Sequence, residues 1–225
     1  MNSNYPQLEK LSGTIDGLIF DLDGTILDSM NLWTAADESF LSKRGFNVTP
    51  EYTNYVKIVS IEEAADFTRI NYAPDMTNQE IIDEWHAFVS DGYKNKVQLK
   101  PGAYEYIQKA RELGFKIACA TALTRPNAEA VLDRCGVTKL IDVLLTLDDV
   151  AGIRDKREPD IYLLAASKLG CEAPRTLVFE DVPQAIQGAR RGGFNICAVY
   201  DAVGCGSDSV WTEMCDESNF QITNW

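Results

Sequence analysis

From Pro101 onward the chain alternates between two hydrophobic patterns. Short apolar runs at 115–120, 142–146, 176–179 and 195–199 have the length and composition of buried strands. The stretches between and before them, 102–113, 126–135, 159–169 and 183–191, show the wider apolar spacing of amphipathic helices. Strands separated by single helices predict βαβ units, a parallel sheet and right-handed crossovers. A further strand, 14–20, stands far upstream, after a lead-in (1–13) that reads as poorly ordered.

Between these blocks, from about Asp28 to Val97, the pattern is helical throughout. Residues 29–44 carry Met30, Leu32 or Trp33, Ala36, Phe40 and Leu41 at near-helical spacing, with Gly45 as a stop. Residues 50–59 and 61–72 read as two short helices, and Pro74 breaks the chain. Thr77-Asn78-Gln79-Glu80 is a capping box with Thr77 as N-cap. It opens a longer helix through Ile81, Ile82, Trp85, Phe88, Val89 and Tyr93. The expected fold is α/β, a doubly wound (Rossmann-like) parallel sheet interrupted after its first strand by an all-helical insert. The core would be 14–28 plus 98–225 and the insert 29–97. The tail after about 200, with Trp211 and Trp225, fits no assignable pattern.

The polar residues that stand out lie where the apolar runs stop. The run 17–20 ends in Asp21-Leu22-Asp23-Gly24-Thr25. In open α/β sheets the C-terminal strand ends face the ligand. Two carboxylates there are costly without a cation between them, and Mg²⁺ bound by one or two carboxylates plus a substrate phosphate meets that need. A carboxylate can also accept a phosphoryl group covalently. The same edge receives Thr121 from strand 115–120 and Glu180-Asp181 from strand 176–179. A charged loop, Asp155-Lys156-Arg157-Glu158-Pro159-Asp160, precedes the next helix. Each piece alone has a plain alternative: a Thr closing a strand, a solvated loop with Pro in a first helical turn, acids favoured by a helix N-terminus. Their joint order along one edge does not.

Asp21-Leu22-Asp23-Gly24-Thr25, preceded by Phe20 and followed by Ile26-Leu27-Asp28-Ser29, resembles motif I of the haloacid dehalogenase (HAD) superfamily. The closest likeness is to its phosphatase and β-phosphoglucomutase-like branch with a helical cap, over roughly residues 14–200. The resemblance implies that Asp21 is the nucleophile and that Asp23 protonates the leaving oxygen and then activates water. It makes Thr121 the hydroxyl donor of the second motif and Lys156 the cation beside the nucleophile, in preference to Arg157. Mg²⁺ would be held by Asp21, the Asp23 main-chain carbonyl and Asp181, with Glu180 close by. The chain departs from the family pattern at Asp155, Arg157, Val182 and Ala185, where Gly, Pro, Ser and Gly are usual. The implied activity is Mg²⁺-dependent hydrolysis of a small phosphorylated metabolite through an aspartyl phosphate. A sugar-phosphate mutase is disfavoured by Trp33 where such enzymes carry His, and by the absence of Arg from Val59-Ser60-Ile61-Glu62. A non-catalytic ligand-binding protein is disfavoured by the intact acidic set, and a dehalogenase by having no use for Asp23 and Glu180-Asp181. Within the cap, Trp33, Lys43, Arg44, Lys57 and Arg69 are candidate substrate contacts.

Charge changes this picture in one respect. A net charge of −13, from 34 acids against 21 bases, opposes nucleic-acid binding and requires a local positive site for any phosphate. No apolar run approaches a membrane span. The opening residues, Met1 to Pro6, lack the features of a signal peptide. A cytoplasmic, monomeric enzyme is expected, with no membrane or nucleic-acid partner. Six cysteines without a Cys-x-x-Cys pair, and a single histidine, argue against zinc. Cys119 and Cys197 read as core, His86 as packing or solvent-facing, Asp148 and Asp149 as capping or solvating the loop after a strand, and Asp28 as the cap of the first insert helix.

Overall fold

A computed structural model describes residues 5–56, 59, 61–152 and 156–225. It divides into two compact units, one running to Met30 and resuming at Val97, the other Asn31–Lys96.

In the first unit, α1 (Leu8–Leu11) precedes β1 (Gly17–Phe20), and β2 (Leu27–Asp28) follows the acidic turn. The second unit holds α2 (Leu32–Ser42), α3 (Pro50–Val56), α4 (Ile61–Tyr72) and α5 (Asn78–Asn95). The first then resumes with β3 (Gln98–Leu99), α6 (Ala103–Glu112), β4 (Lys116–Thr121), α7 (Arg125–Arg134) and β5 (Val143–Thr146). It closes with α8 (Asp160–Leu169), β6 (Thr176–Glu180), α9 (Pro183–Arg191), β7 (Asn195–Val199), α10 (Asp208–Asp216) and β8 (Phe220–Ile222).

Six strands form one sheet in the order β5-β4-β1-β6-β7-β8, every neighbouring pair parallel. All four residues of β1 are buried, as a strand covered on both faces requires. Ile19, Ala118, Ala120, Val178, Ile196 and Ala198 pack against Ile161, Tyr162, Ala165, Ile186, Ala189 and Met214 from α8, α9 and α10. On the other face Phe20 and Phe179 stack with ring centroids 4.4 Å apart, and Tyr106 of α6 meets both edge-on. The sheet is therefore doubly wound, as expected. The strand order reverses at β1, whose neighbours β4 and β6 lie on opposite sides of it; this is where such sheets open a crevice at their C-terminal ends.

Three features differ from the sequence reading. The described part of the lead-in packs onto the core: Leu8 and Leu11 are buried, and the Tyr106 hydroxyl donates to the Pro6 carbonyl at 2.9 Å. Its apolar residues are too few for a periodic signal. Asp28 does not cap α2. It sits in β2, which pairs antiparallel with β3, and Asn31 occupies the N-cap position. The tail folds as α10 and β8, and Trp225 lies against Tyr106, Phe20 and Phe179.

The helical unit follows its pattern closely. The Thr77–Glu80 capping box forms in both directions, and Ile81, Ile82, Trp85, Val89 and Tyr93 are the buried face of α5. Buried Tyr52 of α3 bonds Asp37 at 3.0 Å and Thr68 at 3.1 Å. Lys57 and Ser60, named from the sequence, lie outside the described residues, as does Asp155.

Candidate active site

Strand register places the acids. Phe20 pairs with both Cys119 and Phe179, so the chain passes Asp21 at the level of Glu180, and the Asp21 N–H donates to the Phe179 carbonyl at 3.0 Å. Side chains two residues apart on a strand share a face. Asp21 and Glu180 thus continue the parity of Ile19 and Val178, toward α8. Relative exposures of 4% for Asp21, 0% for Glu180 and 2% for Asp181 take all three carboxylates almost out of water.

Lys156 joins two of them. Its ammonium donates to Asp21 Oδ1 and, at 2.7 Å, to Glu180 Oε1, which also accepts the Tyr162 hydroxyl at 2.7 Å. The loop carrying Lys156 is pressed against α9: a Cβ at Gly188 would collide with the Lys156 and Arg157 carbonyls. Lys156 is therefore the cation at Asp21, and Arg157 is exposed. Burial opposes the Lys156 charge, but Asp21 and Glu180 outweigh it and hold the ammonium protonated.

The remaining carboxylate oxygens are underserved. Asp181 Oδ1 accepts Thr25 Oγ1 at 3.4 Å, while Asp181 Oδ2 and Glu180 Oε2 are buried with no hydrogen-bond partner. Ligand oxygens of Asp21, Glu180 and Asp181 lie within 4.8 Å of one another. At an effective dielectric of about 20, two charges at that spacing repel by roughly 3–4 kcal/mol. Burial raises the Glu180 carboxyl to about 7, with Lys156 pulling the other way. Burial, with Asp21 and Glu180 adding to it, lifts Asp181 well above the usual carboxylate range. With all three ionised, the acids would exceed the one ammonium by two negative charges, which a divalent cation would cancel. The backbone comes close to Asp181 at two glycines: a Cβ at Gly24 or Gly204 would run into its Oδ2. Gly24 also has φ +72°, a conformation that side chains disfavour. An all-oxygen acidic set with orphaned buried oxygens fits a hard cation such as Mg²⁺.

The other expected residues lie on the same edge. Asp23 Oδ1 accepts the Ser29 hydroxyl at 2.5 Å. Thr121, fully buried at the end of β4, accepts the Leu123 N–H on its hydroxyl oxygen at 3.0 Å, with its own proton still to give. Asp21, Lys156, Glu180 and Asp181 thus form one cluster, while Asp23 and Thr121 stand at neighbouring chain ends. Sequence reasoning missed Tyr162, Thr25 and Ser29. Thr25 and Ser29 stood within the quoted motif and its flank, whereas nothing local marks Tyr162.

Elsewhere Asp149 caps its turn, accepting the Thr146 N–H at 2.8 Å. Cys119 and Cys197 are core. His86 is exposed, edge-on to Trp33 at 6.1 Å. Three candidate substrate contacts are engaged inside the helical unit: Lys43 and Arg44 with Glu84 at 2.9 and 2.8 Å, Arg69 with Asp66 at 2.8 Å. Trp33 is 44% exposed.

Residues 18–199 match the family model of haloacid dehalogenase-like hydrolases. Validoxylamine A 7'-phosphate phosphatase of Streptomyces hygroscopicus subsp. limoneus is 29% identical over 180 residues, covering 78% of this chain and 81% of its own. Protein CbbY of Rhodobacter capsulatus is 27% identical over 192 residues, 81% of this chain and 84% of its own. In fold, a Thermotoga maritima crystal structure provisionally assigned as a β-phosphoglucomutase superimposes with a TM-score of 0.81 at 21% identity, covering 92% of this chain and 94% of that one.

Proposed function

The chain belongs to the haloacid dehalogenase-like hydrolases, and from that premise we propose that it is a Mg²⁺-dependent phosphatase of a small phosphorylated metabolite, working through an aspartyl phosphate on Asp21. The observation that carries this reading is the buried cluster of Asp21, Glu180 and Asp181 around Lys156, with two orphaned carboxylate oxygens. The relatives named as phosphatases support it, validoxylamine A 7'-phosphate phosphatase among them.

Asp21, Asp181 and the Asp23 main-chain carbonyl would hold Mg²⁺, with Glu180 beside them. When bound, the ion supplies charge neutralisation for the phosphoryl group. Asp21 attacks phosphorus in line, forming an acyl phosphate as the ester P–O bond breaks. Asp23 gives its proton to the departing alcohol oxygen. It then takes one from the water that attacks the acyl phosphate, which releases inorganic phosphate and restores Asp21. Ser29 holds one oxygen of Asp23 through both steps. Acid–base assistance of this kind typically contributes about 10²–10⁴-fold. Lys156 orients Asp21 and offsets the charge of the transferring group, Thr121 donates its hydroxyl to a phosphoryl oxygen, and Tyr162 with Lys156 fixes Glu180. The helical unit selects the substrate. Six free cysteines suit a reducing, cytoplasmic setting.

The test is phosphate release from para-nitrophenyl phosphate and a panel of sugar and other metabolite phosphates, in Mg²⁺ or in EDTA, with wild type beside Asp21→Asn. Release that requires Mg²⁺ and falls by about 10³-fold or more in the variant is expected. Turnover that survives Asp21→Asn overturns the mechanism.

A further inference from the structure

Lys100 follows β3 and lies outside every motif singled out in the sequence. Its main-chain N–H donates to the Ile26 carbonyl at 2.8 Å. Its side chain is 15% exposed and pairs with Asp201 Oδ2 at 3.0 Å. The same ammonium donates to the Gly24 carbonyl and to the Tyr200 carbonyl at 3.1 Å. An ammonium has three protons, and three acceptors meet it here. Asp201 in turn accepts the Val203 and Gly204 amides on Oδ1, at 2.8 and 3.0 Å, which shapes the turn after β7.

These bonds converge on one place. Gly24 and Gly204 are the backbone segments that crowd Asp181 Oδ2, the buried oxygen without a partner. Lys100 grips the first through its carbonyl and the second through Asp201. Two chain segments some 180 residues apart are thereby held at a fixed separation around one carboxylate oxygen. Exposed ion pairs contribute little; this one is mostly buried and ties three backbone segments together.

We propose that Lys100 is a positioning residue for the divalent-cation site at Asp181, acting through Gly24 and the Asp201–Gly204 turn. The inference rests on reading that site as metal-binding. Groups that orient metal ligands typically change metal affinity by about 10- to 100-fold when removed.

The experiment titrates Mn²⁺ into the metal-free protein, without substrate, and follows the free-ion signal by electron paramagnetic resonance. Thermal melts in EDTA establish that each variant is folded. Lys100→Met is expected to weaken Mn²⁺ binding by about 10- to 100-fold, and Lys100→Arg to recover most of that loss. Because Lys100 and Asp201 act as one unit, Lys100→Met with Asp201→Asn should bind no more weakly than Lys100→Met alone. Folded Lys100→Met that binds Mn²⁺ as tightly as wild type overturns the proposal, as does Lys100→Arg that is no better than Lys100→Met. Should Lys100→Met not fold, Asp201→Asn tests the pair from its other side: weakened binding is expected, and unchanged affinity overturns the role. Wild type that fails to bind Mn²⁺ overturns the metal reading itself, and this inference with it.

Discussion

Tyr162 is the residue whose contribution is easiest to isolate. Its hydroxyl, buried in the core, gives Glu180 Oε1 a second donor beside Lys156. Burial, with the Glu180 charge adding to it, holds the phenol well above its ordinary range, so it remains a donor. Tyr162→Phe keeps the ring that packs against Phe194 and removes only that bond. A hydrogen bond to a charged group is worth about 1.5–3 kcal/mol, and a loss of that size is expected in urea unfolding. An unchanged unfolding free energy would mean that Lys156 satisfies Glu180 Oε1 alone. Lys156 and Asp21 are 135 positions apart and Lys156 and Glu180 are 24 apart. The acids were legible at residue scale because each ends an apolar run. The bond partners were not, because nothing near Tyr162 in the chain marks it as facing an acid.

At the scale of elements, α2, α3 and α4 meet through Asp37, Tyr52 and Thr68. Burial pushes the Asp37 carboxyl up to about 6, against the opposing pull of the Tyr52 hydrogen bond. A carboxyl raised in the folded state binds more protons there than in the unfolded chain, so its stabilising effect is present at low pH. It is lost as pH climbs from about 4 through about 6. Melting wild type and Asp37→Asn between pH 4 and 7.5 should show the midpoint of the variant rising relative to wild type across that window. A difference independent of pH would place the Asp37 titration elsewhere. The helices themselves were legible because spacing and the Thr77 capping box are local signals. The two-residue strands β2 and β3 were not, since two residues carry no period.

For the molecule as a whole, the tail changes the account most. β8 extends the sheet beside β7. Trp225 packs on the Phe20–Phe179 stack directly behind Asp21 and Glu180, and its indole N–H donates to the Thr25 carbonyl at 3.1 Å. Trp225→Ala is expected to cost about 2–3 kcal/mol in denaturant unfolding, below the loss at a fully buried Trp because the side chain is half-buried. Trp225→Phe, which keeps the stack and drops the bond, should cost about 1 kcal/mol. Equal losses in the two variants would make the hydrogen bond, not the stacking, the source of the effect.

Local pattern alone determined the strand–helix alternation, the helical insert and the acids at the strand ends, since apolar period, turn residues and capping chemistry act over a few residues. Which strands lie side by side, and so which acids meet, was decided by packing both faces of the sheet. The order β4-β1-β6 brings Asp21 and Glu180 level. Only in that arrangement do two of the three buried carboxylates share one lysine and leave Asp181 Oδ2 without a partner. The reason is electrostatic: the cost of the cluster depends on separations of a few ångströms between groups far apart in the chain, and spacing along the sequence carries no such distance.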